Sequence, residues 1–280
     1  MPLYLVGINY EYITQRAINY IKSSDIIIVD KYTMPNSDKI ISLVIDIAKD
    51  KKVILAERNM LEDNSSEVID IAKDKKVSIV VIGDPLIGTT HASLLIEAKK
   101  KKIEADIING ISGICLAKSL SGLQYYKFGK TLTIPGPWRN VKAYSLIYNL
   151  YSNLCINAHT LLLFDINDQG KLLSIEQGIK TVLELNKELK LYEKLEKMLG
   201  IIIHAGEKNV FVGDSLYMLQ NAEIDEPYSL IIPTSLHYEE ENYLKYVLNI
   251  NDNAIIEHKN SIKVDFCKYM LQLKTYLNTL

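Results

Sequence analysis

The residues with the most chemical promise lie between Val77 and His91, VSIVVIGDPLIGTTH. An apolar, β-branched run enters a tight Gly83-Asp84-Pro85 turn, and Thr89 or Thr90 stands where it could cap a helix carrying Leu94, Leu95 and Ala98. Such a turn exposes backbone to an approaching ligand. It is not a P-loop, since no Gly-Lys-Ser/Thr follows, nor the GxGxxG that follows the first strand of a dinucleotide fold. With Asp84 at the turn and no arginine nearby, the loop suits a ligand bearing amine or hydroxyl donors better than a phosphate. Read blandly, it is an ordinary αβ turn.

Other reactive side chains are scattered. His91, His159, His204, His237 and His258 form neither HxH nor HExxH, so no metal site is expected. His91 either hydrogen-bonds within its turn or lines a cleft. Cys115 follows Ser112-Gly113 on an apolar helical stretch and reads as a small buried hydrophobe rather than a nucleophile. Cys115, Cys155 and Cys267 are odd in number, widely spaced and without CxxC, which predicts neither a disulfide framework nor a zinc ribbon and makes a reducing cytoplasm the simplest home. Trp138, in PGPWR, is a candidate for substrate or subunit contact or for packing between domains. No Ser-His-Asp arrangement is legible.

The elements that must position these residues alternate. Short apolar strands are expected at Leu3 to Gly7, Asp25 to Val29, Val53 to Ala56, Val77 to Ile82, Asp106 to Ile108, Thr131 to Ile134, Thr160 to Phe164, Ile201 to His204 and Ser229 to Ile232, with helical spacings between them such as Ile13, Ala17 and Ile21. This alternation predicts an α/β protein whose strands are covered by helices on both faces, with ligand chemistry beyond the carboxyl ends of the strands. The segment 121–137, with three glycines and two prolines, reads as the connection between two α/β units, giving domains over 1–127 and 128–280. Phe266, Met270, Leu273 and Leu277 share one helix face, which predicts packing. An exact repeat, VIDIAKDKKV at 44–53 and 68–77, closes a helix and opens a strand each time. A net charge of −2 over 280 residues gives no global reason to bind nucleic acid, and no apolar run is long enough to span a bilayer. Runs of lysine, in a chain with only Arg16, Arg58 and Arg139 as arginines, read as solvated helix ends.

GDPLIGTTH, together with PLYLVG at the amino terminus, DKYT at 30–33, YKFGK at 126–130, HTLLLFDI at 159–166 and IIP…LH at 231–237, resembles the diphthine synthases, collinearly over about residues 1–245. The resemblance implies two α/β domains of the tetrapyrrole methylase type with an S-adenosylmethionine cleft between them. It further implies a homodimer, and methyl transfer to the amino group of a modified histidine on translation elongation factor 2 in diphthamide biosynthesis. Cofactor contacts are implied at Tyr10, Asp84, Ile87, Ser112, Gly113, Phe164, Ala205 and Tyr228, and substrate-side groups at Arg58, Glu62, His91 and Lys127. Three departures stand at the implied cofactor residues: Gly7-Ile8-Asn9-Tyr10 for the family's Gly-x-Gly, Phe164 and Tyr228 for an aliphatic residue and a histidine, and Pro233-Thr234-Ser235 for Pro-Gly-Lys. They keep two other readings open, a cofactor-binding module without turnover and a tetrapyrrole carbon methylase.

Overall fold

Successive residues of the early strands face opposite sides, and both sides are buried. Leu3 and Leu5, Ile26 and Ile28, and Val77, Ile79 and Val81 share one core with Val68, Ile69, Leu94 and Ala98. Val6 and Ile8, Ile27 and Val29, and Val80 and Ile82 share another with Ala17, Ile21, Ile40 and Val44. The period of two, with helices supplying the outer residues of each core, makes a sheet covered on both faces. The structure is a computed structural model that describes residues 2–9, 12–33, 37–206 and 208–277.

By backbone contacts the chain divides into two units, Met1–Leu116 with Asp168–Lys171, and Ala117–Asn167 with Leu172–Leu280. The first holds β1 (Leu3–Ile8), β2 (Ile26–Asp30), β3 (Lys52–Ala56), β4 (Val77–Ile82) and β5 (Ala105–Ile108) in the order β3-β2-β4-β1-β5. Every pairing is parallel. The order reverses around β1 and β4, the place where an open parallel sheet leaves a crevice at its carboxyl edge.

The second unit holds β6 (Leu132–Ile134), β7 (Thr160–Phe164), β8 (Leu199–His204), β9 (Val210–Ser215) and β10 (Tyr228–Ile232) in the order β6-β7-β10-β8-β9. Only β6 and β7 are parallel; β10 runs against β7 and β8, and β9 against β8. Phe266 and Leu273 of the helix Phe266–Leu277 are buried in its core, as their spacing predicts, with Met270 packed against it.

The division falls after Leu116, inside the helix Gly113–Leu120, rather than after Lys127. The stretch read as a connection is built into the second unit. Gln124 N donates to Glu240 Oε1 at 2.8 Å, Lys127 Nζ donates to the Ser235 carbonyl, and residues 132–134 are a strand. The cysteine spacing also misled: Cys155 and Cys267 form a disulfide across 112 residues of sequence, joining two helices that pack together, a pairing that local spacing does not reveal. Cys115 is free and half-buried. Among the described residues no helix is long and apolar enough to cross a membrane.

Candidate functional site

Three glycines at the carboxyl ends of β1, β4 and β5 bring the backbone together. A Cβ on Gly7 would lie 2.5 Å from Gly110 N and from Gly83 O, so only glycine allows the loops to meet here. Asp84 follows, 5% exposed, and both its oxygens are engaged: Oδ1 accepts from Leu86 N at 2.9 Å and Oδ2 from Asn109 Nδ2 at 3.0 Å. The carboxylate therefore shapes its own turn and ties it to the loop after β5. Leu86 and Ile87 are exposed at the crest, and Gly88 approaches the Ile114 side chain. Ser112 is buried and its Oγ accepts from Ile114 N at 3.2 Å, capping the helix that starts at Gly113. Around Gly113 nothing lies within 4 Å of where a Cβ would be.

Four of the expected cofactor residues, Asp84, Ile87, Ser112 and Gly113, thus stand on adjoining loops. Asn9 is buried, with Nδ2 donating to Ile111 O at 3.0 Å, so the residue that replaces a glycine stitches two of these loops together. Tyr10 lies outside the described residues.

A second cluster sits at the ends of β2 and β3 and where the Gly83–His91 loop enters the helix Ala92–Lys100. Neither Thr89 nor Thr90 caps that helix, because their hydroxyls are spent on Pro85 O and Glu62 Oε1; His91 occupies the cap position without a side-chain bond to the helix. The ring of His91 is 1% exposed, with Nε2 3.3 Å from Asp30 Oδ2 and 3.4 Å from the Tyr32 hydroxyl. Tyr32 donates to Glu62 Oε1 at 3.3 Å, and the Arg58 guanidinium lies over its ring, 5.4 Å from the centroid. Asp30, wholly buried, accepts from Tyr32 N, Thr33 N and Thr33 Oγ1. Burial pushes its carboxyl above the ordinary value, against the attraction of His91 and those hydrogen bonds. Burial likewise raises the Tyr32 hydroxyl, helped by the charges of Asp30 and Glu62. Arg58, Glu62 and His91 each contact Tyr32. Asp30 and Tyr32, which belong to the same cluster, lie in the DKYT motif and were not among the candidate site residues.

Lys127 is elsewhere, in the second unit, with Nζ on Ser235 and 3.5 Å from Glu240 Oε2. There Phe164 and Tyr228 meet edge to face at 5.0 Å, both in the core, Phe164 against Gly178 and the Tyr228 hydroxyl donating to Leu173 O at 2.9 Å. Burial raises Tyr228 to about 12. Ala205, half-buried, directly follows β8, where His204 pairs with Tyr228 of β10. Trp138 Nε1, Gly136 N and Arg139 all donate to Asp165, a lock internal to the second unit.

The chain belongs to the tetrapyrrole methylase family: the profile of the Tetrapyrrole (Corrin/Porphyrin) Methylases matches residues 2–208. That membership makes it an S-adenosylmethionine-dependent methyltransferase. Diphthine synthases are among its relatives. Diphthine synthase of Aeropyrum pernix is 34% identical over 254 residues, 86% of this chain and 85% of the relative, and that of Staphylothermus marinus 34% identical over 257 residues, 89% and 93%. A crystal structure of a conserved hypothetical protein from Aeropyrum pernix K1 matches with a TM-score of 0.83 at 31% identity, covering 95% of this chain and 98% of the other.

Proposed function

We propose that this chain transfers the methyl group of S-adenosylmethionine to the amino group of the modified histidine of translation elongation factor 2, in diphthamide biosynthesis. The observation that carries the reading is the similarity to diphthine synthases over 86% of the chain. The first unit's strand ends fit the cofactor: Leu86, Ile87 and Ile111 are exposed and apolar, a Cβ on Gly113 would meet nothing within 4 Å, and hydrogen bonds of Asp84, Asn109, Asn9 and Ser112 shape these loops. Within the second unit, Ala205 is proposed as a cofactor residue, as are Phe164 and Tyr228.

Bound there, the cofactor supplies a methyl group on a sulfonium, already a good electrophile with a neutral leaving group. The protein's task is then orientation and exclusion of water. Asp84 acts by fixing the loop backbone, and the closely packed glycines fix that loop against its neighbours. A macromolecular acceptor provides remote contacts that help orient the amine. Arg58, Glu62 and His91 are the proposed acceptor-side groups; Lys127, engaged by Ser235 and Glu240, is framework. The substrate places the work in the cytoplasm, and the proposed assembly is a two-fold homodimer, the commonest closed oligomer.

The test is transfer of labelled methyl to elongation factor carrying the aminocarboxypropyl-histidine precursor. Label should enter that factor and not one with unmodified histidine. Cofactor binding without transfer, while an undisputed diphthine synthase labels the same batch, would replace this reading with that of a binding module.

A further inference from the structure

The last described helix buries little of itself and carries a covalent bond at its start. Helix Phe266–Leu277 buries two of its twelve residues, Phe266 and Leu273, while Leu271 is more than half exposed. Phe266 and Tyr269 pack on the rings of Tyr151 and Tyr192, and Gln272 Nε2 donates to Leu189 O at 3.3 Å. Apolar contact of that extent, close to a chain end, opens far more readily than the strands at the centre of a sheet. The Cys155–Cys267 disulfide stands in the first turn of this helix and ties it to the last residue of helix Tyr144–Cys155.

The other end of the bridge meets a corner held by hydrogen bonds of its own. Cys155 lies between Asn153, whose Nδ2 donates to Lys130 O at 2.9 Å and to Thr160 Oγ1 at 3.1 Å, and Asn157, whose Oδ1 accepts from Thr234 Oγ1 and Ser235 Oγ. These bonds secure the approach to β6, the start of β7 and the segment after β10, and none involves the last helix. Cys267 Sγ also lies 3.4 Å from the Cys155 carbonyl, an acceptor in place for the thiol that reduction would create. Both cysteines are half-buried rather than enclosed, so a small thiol in solution can reach the bond.

We propose that Cys155 and Cys267 form a redox latch: closed, it locks the last helix onto helix Tyr144–Cys155; open, it frees that helix and leaves the rest of the second unit folded. The latch goes beyond the methyl-transfer reading and does not depend on it. Closure joins the two thiols in one S–S bond with loss of two protons and two electrons. A low-molecular-weight disulfide takes up the electrons: one cysteine thiolate attacks it, expelling the first thiol, and the other cysteine attacks the mixed disulfide, expelling the second. Excess small thiol runs the same exchange backwards. Because the bridge spans 112 residues of sequence, closing it removes much of the freedom of an undocked helix. A reducing compartment opens the latch and an oxidising one closes it.

The experiment starts from protein treated with oxidised glutathione, then denatured in urea and alkylated with iodoacetamide. Mass spectrometry should find one alkylated cysteine, Cys115, and three after dithiothreitol. Hydrogen exchange is then followed on the native protein in its oxidised and reduced forms. Amides of residues 268–277 should exchange about 100-fold faster in the reduced form, while β7, β8, β10 and the first unit's sheet keep their protection. The double variant Cys155→Ser, Cys267→Ser should exchange like reduced wild type whether or not dithiothreitol is present; if it does not fold, the two forms of the wild type decide alone. Three alkylated cysteines after glutathione treatment, or equal exchange of the last helix in both forms, overturns the latch. Loss of protection throughout the second unit on reduction overturns it too, since the bridge would then be a staple of the whole unit.

Discussion

Each unit buries a histidine against a carboxylate, and the two pairs are built to opposite ends. In the second unit Glu240 is 1% exposed, yet its carboxyl is drawn down to about 2: burial pushes it up, and hydrogen bonds from His159 and the Gln124 and His237 amides more than offset that. Every nitrogen of His159 is used. In the first unit burial wins, Asp30 is held above its ordinary value, and His91 retains an unused acceptor. Burial of a histidine–carboxylate pair therefore does not by itself mark chemistry. The two pairs differ in whether their hydrogen-bonding capacity has been spent.

The largest effect that sharpens this contrast should come from Glu240→Ala. It strands His159, Lys127 and two backbone amides, and removing one partner of a buried pair costs about 3–5 kcal/mol. Urea unfolding should show that loss, whereas His91→Gln should cost about 1–3 kcal/mol, the penalty for disturbing a single buried partner. Equal costs would break the distinction.

A slightly smaller effect should appear on acidification. Burial lowers His258 from 6.5 to about 4 and lowers His159 as well, so both rings are neutral in the folded chain. A depressed pKa means the unfolded chain binds the proton first. The stability due to His258 is complete above pH 6.5 and is lost as pH falls through about 4, a loss of about 3 kcal/mol. Glu240 extends the same trend from 4.5 down to about 2. Urea midpoints across pH 7 to 4 should fall in the wild type and flatten in His258→Asn; a level wild-type curve would show that these rings do not titrate with folding.

The duplicated decapeptide shows how far sequence could reach. Both copies close a helix and open a strand, as their lysines and β-branched residues predict. Yet Val44 packs on one face of the first sheet and Val68 on the other, Ile45 is 46% exposed where Ile69 is buried, and the strands they open are edge β3 and central β4. Local pattern specifies the junction, and tertiary context chooses the face. The same limit left β9 without an expected strand: Val210-Phe211-Val212 runs into Gly213-Asp214-Ser215, and Gly213 is a close contact with Ile250. The Gly83-Asp84-Pro85 loop was legible because its chemistry is contiguous. The Asp30–Tyr32–His91 cluster was not, because its members meet only when β2 and β4 lie side by side.

The most direct test of the central claim, that the first unit's strand ends hold the cofactor, is calorimetric titration of S-adenosylhomocysteine into the wild type and Asp84→Ala. Asp84 makes two hydrogen bonds that set the loop, and bonds to a charged group are worth about 1.5–3 kcal/mol. The account predicts stoichiometric binding by the wild type and affinity reduced about 10- to 100-fold in the folded variant. No binding by the folded wild type, or equal affinity in Asp84→Ala, would contradict it.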